Sequence, residues 1–69
     1  MDIPQKIKAA ERIAGISESQ LSDIIGTSRS AFNQRMKTGK FSTSELEKIA
    51  TALGAKFEFK FVFEDGTEI

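Results

Sequence analysis

The sequence predicts a mostly α-helical fold of four short helices followed by a C-terminal β-strand or hairpin. Apolar residues recur at helical spacing as far as Gly54, and two helix-start motifs divide that region. Beyond Gly54 the apolar period changes from about 3.6 to 2. The 69 residues suffice for one domain. We therefore expect a helical bundle over residues 1–54 and the strand or hairpin over residues 55–69.

The first helix is predicted to begin at Asp2 or Ile3 and to end at Gly15. Asp2 can cap free backbone N–H groups, and Pro4 suits the first turn because no N–H donor is needed there. Glycine at the end permits the left-handed conformation that closes many helices. The residues at helical spacing that are expected to face the core are Ile7, Ala10, Ile13 and Ala14.

Capping boxes mark the starts of the second and fourth helices. Ser17 and Gln20 form an S-x-x-Q box, and Ser42 and Glu45 form an S-x-x-E box. Each box has a hydrophobic staple across it, and the staple pairs are Ile16 with Leu21 and Phe41 with Leu46. The predicted apolar faces are Leu21, Ile24 and Ile25 in the second helix, and Leu46, Ile49, Ala50 and Leu53 in the fourth. Gly26 and Gly54 are predicted to end these helices.

The third helix is predicted over residues 29–37, after a cap at Ser28 and before a break at Thr38 and Gly39. Phe32 and Met36 stand four residues apart and should face the core. The opposite side carries polar and basic residues. No acidic residue occurs from Ile24 to Ser44, although the chain as a whole has ten basic and ten acidic residues. A local basic surface of this kind is suited to phosphate contacts.

The C-terminal segment has one aromatic face, formed by Phe57, Phe59, Phe61 and Phe63. Asp65-Gly66 predicts a tight turn, after which residues 67–69 can return as a second strand. A lone strand has unpaired backbone groups. We therefore expect this strand to pair antiparallel with that of a second copy, so that the phenylalanines form a homodimer interface. A monomer with a local hairpin folded over its own core is the alternative.

Four motifs in this order resemble a known family. They are Gln20-Leu21-Ser22, Ile25-Gly26-Thr27-Ser28, Phe32-Asn33, and Leu46-x-x-Ile49-Ala50-x-x-Leu53-Gly54. Residues 17–54 thereby resemble the phage-repressor type of helix-turn-helix, the Cro-like or XRE group. Arg35 departs from the pattern, since the family usually has an apolar residue there. The aromatic strand replaces a fifth helix, as in Cro-like members that dimerise through a C-terminal strand.

The resemblance implies a sequence-specific double-stranded DNA-binding protein, a small dimeric transcriptional regulator of the repressor type that binds a two-fold symmetric operator. The third helix would enter the major groove. The implied base-reading residues are Ser28, Arg29, Ser30, Asn33, Gln34 and Lys37. The implied phosphate-binding residues are Ser17, Ser19, Arg35, Thr38 and Lys40. For Arg35 the alternative is an ion pair with Glu45 or Glu47.

The composition of the chain argues against several other classes of protein. The chain has no cysteine and no histidine, which argues against a structural zinc site and against most enzymes, and no phosphate-binding glycine loop occurs. We expect no cofactor, metal or small-molecule ligand. No membrane helix or signal peptide is apparent, so a cytoplasmic protein is expected, and the resemblance implies one of bacterial or phage type. The main alternative function is a protein–protein interaction module, such as an antitoxin-like partner of another protein, which zero net charge also suits.

Overall fold

A computed structural model describes all residues, 1–69, and contains four α-helices. They are α1 (Ile3–Ala14), α2 (Glu18–Ile25), α3 (Arg29–Thr38) and α4 (Thr43–Ala52). The predicted mostly helical architecture is confirmed. Helix α3 extends one residue beyond the predicted end at residue 37, and α4 ends before Gly54 with Leu53 as its cap. None of the helices combines the length and apolarity required to cross a lipid bilayer.

Helix starts are set by local side-chain hydrogen bonds, as the sequence predicted. Capping boxes open α2 and α4, and a third box, between Asp2 and Gln5, opens α1. In that third box the Gln5 N–H donates to Asp2 Oδ1 at 2.8 Å, and the Asp2 N–H donates to Gln5 Oε1 at 2.9 Å. Helix α3 has only the cap at Ser28, because the residue three positions on is an alanine with no acceptor. Each helix therefore begins at a residue that its own sequence specifies.

The core is a single cluster to which every helix contributes. Its buried members are Ile7, Leu21, Phe32, Leu46 and Ile49. Partly buried side chains pack around this cluster, among them the predicted core residue Met36 and the staple residues Ile16 and Phe41. The rings of Phe32 and Phe41 meet edge to face with centroids 6.1 Å apart. The turn between α3 and α4 is thus tied to the core by an aromatic pair.

Two isoleucines that were predicted to face the core are exposed. Ile13 is 89% exposed and Ile24 is 58% exposed. Helical geometry explains Ile13, because at 100° per residue it lies about 120° around the helix from the buried Ile7. Glu11, only about 40° from Ile7, is buried instead. On α2 the buried pair Leu21 and Ser22 likewise turns Ile24 toward solvent.

The predicted C-terminal strand is not found. Residues 55–69 contain one isolated antiparallel bridge, Val62 opposite Glu68, across the predicted turn at Asp65-Gly66. Two hydrogen bonds join Phe61 and Ile69, and the Phe63 N–H donates to the Thr67 carbonyl at 2.8 Å. A two-stranded pairing this short has little stability without a further strand or a packed face.

Of the four predicted interface phenylalanines, only Phe57 contacts the core of its own chain. Phe59, Phe61 and Phe63 are 65%, 70% and 52% exposed. The Cα radius of gyration is 13.3 Å, whereas a compact domain of this length has about 11 Å. The segment 58–69, which we call the aromatic tail, therefore presents apolar side chains to solvent.

Candidate nucleic-acid interface

A tight glycine turn connects α2 to α3. Gly26 has φ 76°, in the left-handed region, and its N–H donates to the Asp23 carbonyl at 3.2 Å. The next N–H, of Thr27, donates to the Ser22 carbonyl at 3.0 Å. No atom lies within 4 Å of where a Cβ on Gly26 would be, so glycine is required here by the backbone angle and not by space.

Ser22 lies where α2 meets the neighbouring helices, and it is 1% exposed. Its hydroxyl donates to the Ser19 carbonyl at 2.8 Å, so the buried polar atom is satisfied within its own helix. Leu21, beside it, is fully buried, and Phe32 of α3 is 1% exposed. These three buried side chains pack where α3 meets α2.

The exposed side of α3 brings the predicted base-reading residues together. All of them are solvent-exposed. At 100° per residue, positions 29, 30, 33, 34 and 37 fall within an arc of about 140°, away from Phe32. We call this surface the recognition face, and it comprises Ser28, Arg29, Ser30, Asn33, Gln34 and Lys37. Its functional groups are hydroxyls, amides and cations, with no carboxylate.

Ser28 has a structural role in addition to its place on the recognition face. Its Oγ accepts a hydrogen bond from the Ala31 N–H at 3.1 Å and so caps α3. The hydroxyl proton remains free to be donated elsewhere. A contact of Ser28 with DNA would therefore be compatible with its capping bond.

The predicted phosphate-binding residues divide into two groups. Ser17 and Ser19 lie at the start of α2, Lys40 follows the end of α3 by two residues, and neither serine hydroxyl donates a hydrogen bond within the chain. Thr38 is engaged locally, because its hydroxyl donates to the Arg35 carbonyl at 3.4 Å and accepts from the Lys40 N–H at 3.3 Å. Thr38 therefore orders the backbone that carries Lys40.

Arg35 lies on the far side of α3 from the recognition face and forms an ion pair with Glu45 of α4. The Glu45 carboxylate also accepts the Ser42 N–H at 3.0 Å in the capping box. The hydrogen bond from the Ser42 backbone lowers the pKa of Glu45, and the charge of Arg35 contributes further. The structure thus places Arg35 in the ion pair that was its alternative role, joining α3 to the start of α4.

A small cleft of about 180 Å³ separates the start of α2 from the start of α3. We call it the α2–α3 cleft, and it is lined by Glu18, Ser19, Ser22, Arg29, Phe32 and Asn33. Ser22 and Phe32 close its base because both are buried. Its rim joins two residues of the recognition face to the first turn of α2.

Two acidic residues near this surface were not assigned a function from the sequence. Glu18 begins α2 and lines the α2–α3 cleft. Glu11 is 8% exposed, and its Oε2 has no hydrogen-bond partner. Burial raises the pKa of Glu11, and the nearby charge of Glu18 raises it further, while Lys8 and Arg12 oppose the shift. The helical interval from Ile7 to Glu11 is the sequence signal that indicates its burial.

Three cations on or beside the recognition face are not paired with an acidic side chain. The chain contains two ion pairs, Arg35 with Glu45 and Lys60 with Glu68. Arg29, Lys37 and Lys40 have no acidic partner within 4.0 Å and remain available for an external anion. The structure contains no cluster of three or more acidic side chains that could hold a metal ion.

Comparisons with known proteins gave no match. No protein-family model matches the chain, and neither a curated protein nor a solved structure is significantly similar to it.

Proposed function

We propose that this protein is a sequence-specific double-stranded DNA-binding protein that acts as a small transcriptional regulator of the repressor type. The observation that carries the proposal is the recognition face of α3. Six polar or basic side chains lie together there, on a helix that a tight turn holds against α2. Arginine can donate two hydrogen bonds to guanine, and asparagine or glutamine can pair with adenine. An α-helix of this kind fits the major groove.

Phosphate contacts are assigned to residues beside the recognition face. Lys40 lies two residues beyond the end of α3, and Ser17 and Ser19 lie at the start of α2. The cations on this surface are unpaired, so no internal ion pair has to break on binding. Arg35 is omitted from the phosphate contacts because it points to α4 and pairs with Glu45. Such contacts fix the register of the recognition helix on the duplex.

The active form is proposed to be a homodimer in which the aromatic tail pairs antiparallel with the same segment of a second copy. Phe59, Phe61 and Phe63 are exposed, and the tail has only one bridge within its own chain. Pairing about a two-fold axis would complete a strand and cover these rings. The dimer would then bind a two-fold symmetric operator whose half-sites lie about 34 Å apart, one helical turn of DNA.

A mobility-shift assay tests DNA binding. We expect the chain to bind random-sequence duplex weakly and with a strong dependence on salt, since cation–phosphate contacts release counterions. Selection from a random duplex library should yield a two-fold symmetric site. Arg29→Ala should relax base preference at one position of each half-site and weaken binding to the selected site about tenfold. A chain that retards no duplex even at low salt would contradict the proposal.

A second candidate function is a protein-interaction module that docks another protein through the aromatic tail. The exposed phenylalanines and the zero net charge favour it. Such a module would use the helices as a scaffold and would show no salt-dependent affinity for duplex DNA. The same mobility-shift assay therefore separates the two candidates.

A further inference from the structure

Two oppositely charged residues begin adjacent helices and line the same cleft. Glu18 is the first residue of α2, and Arg29 is the first residue of α3. Both line the α2–α3 cleft, where Arg29 is the sole cation and Glu18 the sole carboxylate. The buried Ser22 and Phe32 form the base of the cleft, so the backbone positions of the two charged residues are fixed relative to each other.

Neither charge is neutralised in the free protein. The ion pairs of the chain lie elsewhere, between Arg35 and Glu45 and between Lys60 and Glu68. On its other side Glu18 approaches α1, where Glu11 repels it and Lys8 and Arg12 line a neighbouring cleft. Neither Lys8 nor Arg12 lies within 4.0 Å of the Glu18 carboxylate. Glu18 is therefore free to turn toward Arg29.

An isolated carboxylate at this place would oppose DNA binding, because it would face phosphates of the same charge. Arginine offers a way to compensate for it. A guanidinium has five N–H donors, of which guanine O6 and N7 accept two. Donors left without a partner in the closed interface would weaken the complex. A carboxylate across the cleft can accept one or two of them.

We propose that Glu18 is a positioning residue for Arg29: its carboxylate accepts hydrogen bonds from the guanidinium when the recognition face meets DNA, and so holds Arg29 in place for guanine. This inference rests on the proposed function. It assigns Glu18 a share in sequence discrimination without direct contact with a base. Asn33, which lines the same cleft, would then contact the neighbouring base pair.

The direction in which Glu18→Ala changes the affinity for DNA distinguishes a positioning role from simple repulsion of phosphate. If Glu18 only repelled phosphate, Glu18→Ala would tighten binding to every duplex. If Glu18 positions Arg29, Glu18→Ala should weaken binding to the selected duplex about tenfold, the loss expected when a bidentate guanine contact is misplaced. Binding to random duplex should stay equal or become tighter. The ratio of the two affinities is the decisive quantity.

The experiment is a double-mutant cycle on the full chain with the duplex that the wild-type chain selects from a random library. Its members are Glu18→Ala, Arg29→Ala and the double variant, each measured with the selected and the random duplex. Glu18→Gln keeps one acceptor oxygen and should retain part of the discrimination. Glu47→Ala removes an equal charge from the exposed side of α4 and serves as the control. Melting by circular dichroism verifies that each variant is folded.

The inference is supported if both single variants lose the same base preference. In the chain that already carries Arg29→Ala, Glu18→Ala should then cause no further change in the ratio of affinities for the selected and the random duplex. The inference is overturned if Glu18→Ala keeps the wild-type preference, or if it changes binding only as Glu47→Ala does. Either of those results leaves the proposed function standing. A wild-type chain that selects no sequence would overturn the proposed function as well.

Discussion

At the scale of single residues, Glu11 is the least expected member of the interior. It lies where helical spacing calls for an apolar side chain, and one of its carboxylate oxygens has no hydrogen-bond partner. Its raised pKa means that the folded state binds a proton at this site more tightly than the unfolded chain does. The contribution of this site to the free energy of unfolding is therefore fully present below the ordinary pKa of 4.5. It is lost as the pH rises through the raised pKa that Glu11 has in the folded state.

Glu11→Gln should therefore stabilise the protein at neutral pH by about 1 kcal/mol, because the buried charge is removed. The gain should shrink as the pH falls toward 4, where the wild-type carboxyl becomes protonated. Urea unfolding at several pH values between 4 and 7.5 measures both effects. Glu47→Gln, at an exposed site on α4, is the matched control. Parallel stability profiles for the wild type and Glu11→Gln would contradict this account.

Angular position around a helix decides which residue predictions are correct. Phe32 and Met36 were placed correctly because their spacing of four residues defines one face. Ile13 was misplaced because its hydrophobicity was given more weight than its angle, about 120° from Ile7. The same geometry turns Arg35 away from the recognition face. Its partner, Glu45, belongs to another helix, and spacing alone does not choose between Glu45 and Glu47.

At the scale of secondary-structure elements, the helix starts were the most predictable feature of the fold. In α2 and α4 the start depends on two residues three positions apart, and those residues form the expected reciprocal hydrogen bonds; α3 starts at the predicted cap, Ser28. The C-terminal strand was not predictable in this way. A strand forms only when a second segment satisfies its backbone groups, and the local sequence does not state where that segment lies. The structure of one chain accordingly has a single bridge there.

Two basic residues, Arg35 in α3 and Lys40 in the connection to α4, have different expected roles, and a matched pair of variants distinguishes them. Lys40→Ala should lower the slope of log K against log salt concentration by about 0.9, the value for one phosphate contact. Arg35→Ala should leave that slope unchanged. Because the Arg35–Glu45 pair is partly exposed, its loss should cost at most about 0.5 kcal/mol of unfolding free energy.

Titration of a fixed duplex at salt concentrations from 50 to about 200 mM provides both slopes, since this range spans the strong dependence of phosphate contacts. Urea unfolding of the same two variants provides the stabilities. Equal slopes for Lys40→Ala and the wild type would remove Lys40 from the proposed interface. A reduced slope for Arg35→Ala would show that Arg35 contacts phosphate and belongs to the proposed interface.

At the scale of the whole molecule, the aromatic tail sets the shape and the expected assembly. The exposed rings form an apolar surface on a chain whose radius of gyration exceeds that of a compact domain. Surfaces of this kind mark interaction sites or promote aggregation. We therefore expect association of two copies to bury the tail and to contribute to the stability of a domain whose own core is small.

Sedimentation of the wild-type chain should give a dimer, with a melting temperature that rises with concentration. Phe61→Ser combined with Phe63→Ser should give a monomer, because both rings are exposed in the single chain and neither belongs to its core. Ile13→Ser removes an even more exposed apolar side chain from α1 and should leave the dimer intact. A monomeric wild-type chain would exclude the symmetric operator.

In α3 the residues that stabilise the fold are different from the exposed residues of the recognition face. This separation affects how the binding specificity of the protein can change. The fold depends on Ser28 as cap, on Phe32 and Met36 as core residues, and on Gly39 as the left-handed end. The side chains at positions 29, 30, 33, 34 and 37 are exposed and make no hydrogen bond or ion pair within the chain. If the proposed function holds, exchanging them would change the DNA sequence that is bound while leaving the core and the helix caps unchanged. New specificities are thus accessible by surface substitutions alone, without repacking.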